Sequence, residues 1–472
     1  MDDYTLPTAG KLTGSAQAGY VLDFLTNTSL HDIPEDVRAH ARYLLLDLLG
    51  VAAVGSGTPN AKIISDFAVA GMAAGKGAPA APILFDGRSV SPAGAALAGG
   101  MIIDSIDAHD GHKLTKGHVG CSLLPAVLAA LAATGRGADE DELLAALIIG
   151  YEVGVRCGMA LHATVSDYHT SGAWMAVAVA AVAGRIYGLP ADQIWHAMGI
   201  AEYHGPRSQM MRVIDHASML KDGSGWGAMA GISAADLARA GFTGAPAITV
   251  LDEGLADIWS DLGTRWRTQE QYIKLWPVCR WAQPAMQAVF AILQKNPVRP
   301  EDVDRIEIDT FHESLRLASP HPASGDEAQY SICWPVAAAL FAATEGRQFG
   351  AFDVSEAALA RADIHALSGR ITLMEDEAFN AVFPAKRQSR VRIYTSTGAC
   401  LEAVTLDTKG DPETPVSYDE MTVKFERFLA TSPHHAVSAQ LLQACLSVAS
   451  GGRQTGGLQN ILYAKQVSMS RT

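Results

Sequence analysis

The sequence predicts a mostly α-helical protein, and three observations carry that prediction. From residue 16 to about 250, apolar residues recur at three- and four-residue spacing with little of the alternation typical of a strand. After about residue 270, four short segments alternate with a period of two, and beyond about residue 411 the chain returns to helix. We therefore predict a large all-helical domain, a smaller α+β domain, and a helical tail that rejoins the first domain.

Local signals define the individual elements. "IPEDVRAHARYLLLDLLGVAAVG" predicts a helix that begins near Pro34 and ends at Gly55, and "ADEDELLAALIIGYEVGVRCGMALH" predicts a second with acidic residues in its first turn, where the helix dipole favours them. Strands are expected at 304–311, 369–375, 389–397 and 400–408, with a helix at 334–346. The last two strands are joined by a short Gly-containing turn. The domain ranges that follow are 1–272, 273–411 and 412–472.

Composition restricts the partners of the protein. The 472 residues carry a net charge of −14, which argues against nucleic acid as the main partner. The first residues lack a secretory signal, the longest apolar runs are shorter than the roughly 20 residues that cross a bilayer, and six scattered cysteines form no CxxC pair. We expect a cytoplasmic protein with reduced thiols and no membrane partner. The first dozen and the last few residues are expected to be flexible.

Motifs that bind cofactors are not evident. "GSGWGAMAG" (223–231) follows no strand and has neither GxGxxG nor GxxxxGK[ST] spacing, so close helix packing explains its small residues better than a nucleotide does. A GxSxG nucleophile elbow is also missing. The sequence predicts no cofactor.

Polar and cationic side chains stand just before several long apolar helices. They are His118, His169, Lys221, Arg280 and Tyr330. Free N–H groups at helix N-termini attract anions, so convergence of these ends would form a pocket for a small polycarboxylate. A histidine in that field is expected to stay neutral and to act as a base. The alternative is that each residue simply caps its helix.

The stretch "SIDAHDGHKLTKGH" (105–118) raises the question of a metal site, since its Asp and His side chains are possible ligands. No HExxH or Cys-His signature accompanies them, and Lys113 and Lys116 would oppose a cation. The sequence therefore predicts that no metal is bound.

Six motifs in chain order resemble the 2-methylcitrate dehydratase (MmgE/PrpD) family over nearly the whole chain. They are "GGMIIDSIDAHDGH", "KGHVGCSLLPAVLAA", "YHTSGAWMAVAVAAVAGRIYGL", "LKDGSGWGAMAG", "IKLWPVCRWAQPAMQA" and "KGDPETPVSYDEMTVKF". The family includes cofactor-independent 2-methylcitrate dehydratases, cis-aconitate decarboxylases and an iminodisuccinate epimerase. The resemblance implies an inserted α+β lid domain, an active site between the domains, and a homodimer.

The resemblance also implies catalytic residues. The positions that match the family's motifs are Asp107, His118, His169, Lys221 and Tyr330. A carbanion-like transition state needs a base, a cation and an acid. His169 and Lys221 are the candidates for base and charge stabiliser, and His118 or Tyr330 for the acid. Asp107 is expected to orient His118 or Lys221.

Substrate contacts are expected from Arg280 and Arg207, because a guanidinium binds a carboxylate in bidentate fashion, and from His112 and Cys279. The segment 107–112 departs from the family's Asp-Phe-Asp-Asp-Thr-His motif, and Gln283 replaces an expected His. These departures leave the substrate open.

Three functions follow from these residues. The leading hypothesis is a lyase that dehydrates a small hydroxy-di/tricarboxylate. The second is an epimerase of a small dicarboxylate, or a decarboxylase of the cis-aconitate type. The third is a catalytically silent carboxylate-binding protein.

Overall fold

The computed structural model describes residues 16–450 and 457–464. The flexible segments predicted at the two ends fall outside these residues. Within them the chain is mainly helical, which confirms the predicted class.

A first hydrophobic core is built by helices from both ends of the chain. They are α1 (Ala16–Asn27), α2 (Glu35–Gly55), α3 (Pro59–Gly71), α4 (Pro92–Asp104), α5 (Gly120–Ala133), α6 (Glu140–Thr164), α7 (Ser171–Ile186), α8 (Ala191–His204), α10 (Ser224–Arg239), α11 (Ile248–Leu251), α12 (Ala256–Trp259), α19 (Tyr418–Ala430), α20 (Ser438–Ser447) and α21 (Gly457–Leu462). Short strand pairs edge this core: β1 (Ala81–Pro82) with β2 (Ser89–Val90), and β3 (Gly111–His112) with β4 (Gln271–Tyr272).

Helix starts follow the signals in the sequence. Pro34 occupies the N-cap of α2, and Glu35 and Asp36 form its acidic first turn. At α6 the Asp139 carboxylate accepts the backbone N–H of Glu142 at 3.0 Å. Such contacts satisfy the amide groups that a first turn leaves free.

Small residues let three core helices approach closely. A Cβ on Gly225 of α10 would lie 2.3 Å from the Leu97 carbonyl of α4, and one on Gly227 would lie 2.4 Å from the Gly172 carbonyl of α7. Gly225, Gly227 and Gly231 of "GSGWGAMAG" therefore serve helix packing, as the sequence predicts. Their crossing fixes the ends of α4, α7 and α10, which carry parts of the site.

A second hydrophobic core combines a mixed sheet with the remaining helices. The sheet order is β6-β5-β7-β8, with β5 (Val303–Thr310) parallel to β6 (Ile371–Glu375) and antiparallel to β7 (Ser389–Thr395), which pairs with β8 (Cys400–Thr405). The helices are α9 (Met210–Asp215), α13 (Gln283–Lys295), α14 (Gly325–Gln329), α15 (Cys333–Thr344), α16 (Glu356–Leu359), α17 (Ala362–Ser368) and α18 (Glu377–Asn380). All four predicted strands are present.

Helix α9 belongs to the second core although the chain on either side of it packs in the first. Otherwise the chain passes from the first core to the second between Ile273 and Trp276, and returns between Ile393 and Val416. The predicted domain ranges 1–272, 273–411 and 412–472 stay a prediction. The role of the second core as a lid stays a prediction.

One helix among the described residues, α6, is long and apolar enough to cross a membrane, but 94% of its apolar stretch is buried inside the protein. Core helices of this kind pass the same length test. The burial of α6 is typical of a core helix.

Candidate active site

A small polar cavity lies where the two cores meet. Its volume is about 30 Å³, room for about one water molecule. The polar lining consists of Asp107, Lys116, His118, Asp222, Tyr272, Lys274, Cys279, Arg280, Tyr330 and Arg387, and Met210, Ile214 and Trp281 form the apolar wall. Five of the nine predicted site residues thus surround one cavity: Asp107, His118, Tyr330, Arg280 and Cys279.

Asp107 follows the C-terminus of α4 in a left-handed backbone conformation, with φ of +46°. A residue other than glycine reaches this region only at a cost, and two buried lysines hold it there. Lys274 forms an ion pair with the Asp107 carboxylate and donates to its carbonyl at 3.1 Å. Lys424 of α19 donates to the next carbonyl, that of Ala108, at 3.0 Å.

The carboxylate of Asp107 retains one free oxygen. Its Oδ2 is buried and has no hydrogen-bond partner among the described residues. Burial alone would lower the pKa of Lys274, but Asp107 and Tyr272 outweigh it, so the pKa of Lys274 is raised and the ammonium stays charged.

His118 is held between two acceptors just before α5. Its Nδ1–H donates to the Asp110 carbonyl at 2.5 Å, and its Nε2 lies 3.0 Å from Oδ2 of Asp222. Because both acceptors are oxygens, both ring nitrogens carry hydrogen. Burial and Lys274 lower the pKa of His118, but the contact with Asp222 outweighs them and the pKa is raised.

This protonation state corrects an expectation. The sequence predicts that a histidine at a helix start stays neutral, and for His118 that is wrong. A helix terminus contributes only about half a unit of charge, whereas Asp222 brings a full carboxylate into contact. Burial raises the pKa of Asp222, yet His118 and Lys274 outweigh it, and the pKa is lowered.

The second core contributes two guanidinium groups in different states. Arg280 is paired with Asp411 at 2.6 Å. Arg387, which precedes β7, is 1% exposed, and its Nε and Nη1 have no hydrogen-bond partner among the described residues. Both groups lie over the Tyr272 ring, at 4.7 Å for Arg280 and 5.5 Å for Arg387. Arg387 is therefore a buried cation that forms no ion pair with a carboxylate of the described residues.

Three further polar groups of the cavity are proton donors. Burial raises the pKa of Tyr272 to about 12, and burial together with Asp107 raises that of Cys279 to about 12. Burial also raises the pKa of Tyr330, with Asp107 and Asp222 acting in the same direction. At neutral pH these three groups hold their protons.

Lys221 lies beside this cavity rather than in it. Its Nζ is 2.5 Å from Oδ1 of Asp326, donates to Oε1 of Gln329 at 2.8 Å, and lies 5.6 Å from the centre of the Tyr330 ring. It lines a neighbouring cavity of about 400 Å³. Lys221 therefore ties the first core to α14 of the second.

The structure does not bring His169 and Arg207 to the cavity. The His169 backbone N–H donates to Nε2 of His162 at 3.1 Å, and its Nδ1 lies 3.0 Å from the Asp167 carbonyl. The side chain of Arg207 is exposed.

His112 is also outside the cavity lining. Its Nε2 lies 3.1 Å from Oε2 of Glu270, and burial lowers its pKa. It supports the β3–β4 pair next to the site.

One group of described residues has metal-ligand geometry: Asp107, His109 and His118 place one ligand atom each within 4.8 Å of one another. His109 is fully buried, and its ring packs edge-on against His118 at 4.3 Å. A cation here would compete with the Lys274 ammonium for Asp107, and would have to displace Asp222 from His118. These groups therefore fit a metal poorly. Absence of a metal stays a prediction.

Sequence reasoning missed Lys274, Asp222, Tyr272 and Arg387 as site residues. Lys274 lies inside the quoted motif "IKLWPVCRWAQPAMQA", which was the available signal. Asp222 lies inside the quoted motif "LKDGSGWGAMAG", directly after Lys221. Arg387 precedes no predicted helix and lies in none of the quoted motifs. Only the folding of the second core brings it to the cavity.

Comparison with known proteins accounts for both cores. Residues 21–266 match the MmgE/PrpD N-terminal domain, and residues 276–447 match the MmgE/PrpD C-terminal domain. The chain belongs to the MmgE/PrpD family. The cavity lies where these two matched regions meet.

Three curated relatives in this family are similar to the chain. A cis-aconitate decarboxylase of Aspergillus terreus is 24% identical over 81% of this chain and 83% of its own length, and that of strain NIH 2624 is 24% identical over 80% and 82%. A cis-aconitate decarboxylase-like protein, oryM, of Aspergillus oryzae is 25% identical over 62% of this chain. That match spans 64% of oryM.

Proposed function

We propose that this MmgE/PrpD protein is a cofactor-independent lyase that releases CO2 from a small unsaturated tricarboxylate of the cis-aconitate type. The observation that carries the proposal is the buried, unpaired Arg387 next to the protonated His118–Asp222 pair. An unpaired cation in a closed cavity favours an anionic ligand, since burying a charge without a partner is costly.

The protonation states of the lining favour an acid-catalysed step. A carboxylate one carbon away from a C=C bond can leave as CO2 while its bonding electrons move into the alkene. The far alkene carbon then takes one proton, so one C–C bond breaks and one C–H bond forms. His118 supplies that proton and is then reprotonated by solvent. Lys274 stabilises the negative charge that develops.

The relatives support the same reaction class, because the named activity of both Aspergillus terreus proteins is cis-aconitate decarboxylation. At 24% identity they do not identify the substrate of this chain, so the substrate is part of the proposal.

Dehydration of a hydroxy-di/tricarboxylate, the leading hypothesis from the sequence, is the second candidate. It is favoured by the free Oδ2 of Asp107, a carboxylate oxygen that can accept a proton from the carbon next to a substrate carboxylate. The protonated His118 would then assist departure of the hydroxyl. Epimerisation would need a second base facing the first, and no described lining residue besides Asp107 offers a free one.

The cavity of about 30 Å³ is too small for a tricarboxylate. Substrate must enter by separation of the two cores. We propose that the Lys221–Asp326 contact closes them again, which makes Lys221 a positioning residue rather than a catalytic one.

The test is turnover in deuterated water by protein dialysed against a chelator. Cis-aconitate, 2-methylcitrate and an epimerisable dicarboxylate are followed separately by NMR. Release of CO2 with one deuteron in the product supports the proposal, and an unsaturated product from 2-methylcitrate supports dehydration. Deuterium exchange at a stereocentre without elimination, or binding without turnover, would overturn both.

Variants locate the chemistry. His118→Asn is expected to abolish turnover, while His312→Asn, an exposed histidine of the second core paired with Glu375, serves as the matched control. His169→Asn tests the role predicted from the sequence, and turnover is expected to survive because His169 does not line the cavity. The homodimer is proposed on the resemblance alone, and light scattering tests it. The cytoplasmic location is proposed from the scattered cysteines, which form no CxxC pair.

A further inference from the structure

The cations of the cavity divide into two classes. Three are each paired with a carboxylate: Lys274 with Asp107, His118 with Asp222, and Arg280 with Asp411. Two, Lys116 and Arg387, have no ion-pair partner among the described residues. The lining therefore carries two cations with no described carboxylate in ion-pair contact.

Lys116 belongs to a tightly closed loop. The backbone N–H of His112 donates to the Gly117 carbonyl at 2.9 Å, and Thr115 Oγ1 donates to the His112 carbonyl at 3.3 Å. Lys116 itself has a left-handed backbone with φ of +52°. A Cβ on Gly117 would lie 2.6 Å from the Ser171 hydroxyl. The loop is thus packed against α7 and cannot shift freely, which fixes the origin of the Lys116 side chain.

The environment of Lys116 is aromatic and cationic. Its Nζ lies 3.7 Å from the centre of the Tyr168 ring, within cation–π distance. Burial and the charge of Arg387 lower the pKa of Lys116 to about 8, with Glu313 acting in the opposite direction. Lys116 in turn lowers the pKa of His162, after burial. The ammonium is close enough to Arg387 for repulsion and is held by a ring face rather than by a carboxylate.

The neighbouring lysine of the same loop behaves differently. Lys113 is paired with Glu413 at 2.6 Å and does not line the cavity. The lack of a carboxylate at Lys116 is therefore a property of its position at the cavity. It is not common to the loop.

We propose that Lys116 and Arg387 form a carboxylate subsite that makes the protein select tricarboxylates over dicarboxylates. The proposal rests on the proposed function, since it places the polycarboxylate in this cavity. A carboxylate between the two cations removes their repulsion and gives each a partner. Arg387 binds it with its planar fork, and Lys116 adds a point charge. A dicarboxylate held at the reacting end leaves this subsite unused.

Calorimetric binding of two saturated, unreactive acids tests the subsite. The probes are tricarballylate, with three carboxylates, and glutarate, with two. Lys116→Met is expected to weaken the binding of tricarballylate by about tenfold or more, which is the size of effect of a charge-assisted hydrogen bond. The same variant should change the affinity for glutarate by less than about twofold. Lys116→Arg should retain most of the affinity. Lys113→Met is the matched control and should leave both affinities unchanged.

Two results would overturn the subsite. One is an equal loss for both acids, which indicates a general effect on the loop. The other is unchanged tricarballylate binding by Lys116→Met. In either case, turnover by the wild-type protein shows that the proposed function survives. If the wild-type protein neither binds the acids nor turns over a polycarboxylate, both proposals fall together.

Discussion

Lys424→Met removes the ammonium that contacts the buried carboxylate of Asp47. Lys424 and Asp47 are each 2% exposed, and they join α19 at the end of the chain to α2 near its beginning. Lys424 also donates to the Ala108 carbonyl behind the left-handed Asp107. The variant therefore perturbs both the fold and the turn that carries the site.

The expected loss can be worked from these contacts. Breaking a buried ion pair by removing one partner costs about 3–5 kcal/mol, since the remaining charge stays buried. The lost hydrogen bond from a charged donor to the Ala108 carbonyl accounts for about 1.5–3 kcal/mol and overlaps with that cost. We expect the free energy of unfolding to fall by about 4 kcal/mol.

The loss should depend on pH. Burial raises the pKa of Asp47, and Lys424 and Lys274 oppose that effect. Without Lys424 the pKa of Asp47 rises further above the ordinary aspartate value of about 3.9, so folded Asp47 takes up a proton at a higher pH than the unfolded chain does. The penalty is thus largest above the folded pKa, and stability is regained as pH falls through it.

Urea unfolding followed by tryptophan fluorescence measures the change between about pH 5 and pH 8. The double variant Asp47→Asn/Lys424→Met removes the stranded charge and should recover much of the loss. Lys409→Met is the matched control, because its pair with Glu420 is exposed, and such pairs contribute about 0–1 kcal/mol. The reasoning is refuted if Lys424→Met costs less than about 1 kcal/mol, or if the double variant is no more stable.

Three further predictions concern the site and the helix crossing. Arg387→Met should lower kcat/KM by about tenfold to a hundredfold while leaving the melting temperature unchanged or raised, since an unpaired buried cation is lost; unchanged kinetics would contradict it. Asp222→Asn should move the alkaline limb of the kcat/KM profile to lower pH, because Asp222 raises the pKa of His118; a fixed limb would show that His118 is not the acid. Gly225→Ala should reduce unfolding free energy by about 1–3 kcal/mol, since its Cβ would lie 2.3 Å from a carbonyl of α4. Gly19→Ala, with open space around it, is the control for Gly225→Ala in denaturant unfolding.

The sequence by itself determined most secondary structure. Apolar periodicity and end signals such as Pro34 and Asp139 are local, so the start of α2 and the start of α6 follow from neighbouring residues. The alternation of β5 and the small residues of α10 are also local patterns, and the sequence alone predicts the strand and the close helix packing from them. A cationic pocket for an anion was also predicted from residues at helix starts.

Only the tertiary structure decided which charges meet. Lys274 forms an ion pair with Asp107, and Lys221 forms one with Asp326. The contact with Asp222 holds the proton on His118. The paired residues are 104 to 167 positions apart in the sequence, and some of them belong to different cores. No local sequence pattern encodes a contact over such a separation. Because a pKa depends on burial and on the charges in contact, the acid of the site could not be assigned before its neighbours were known.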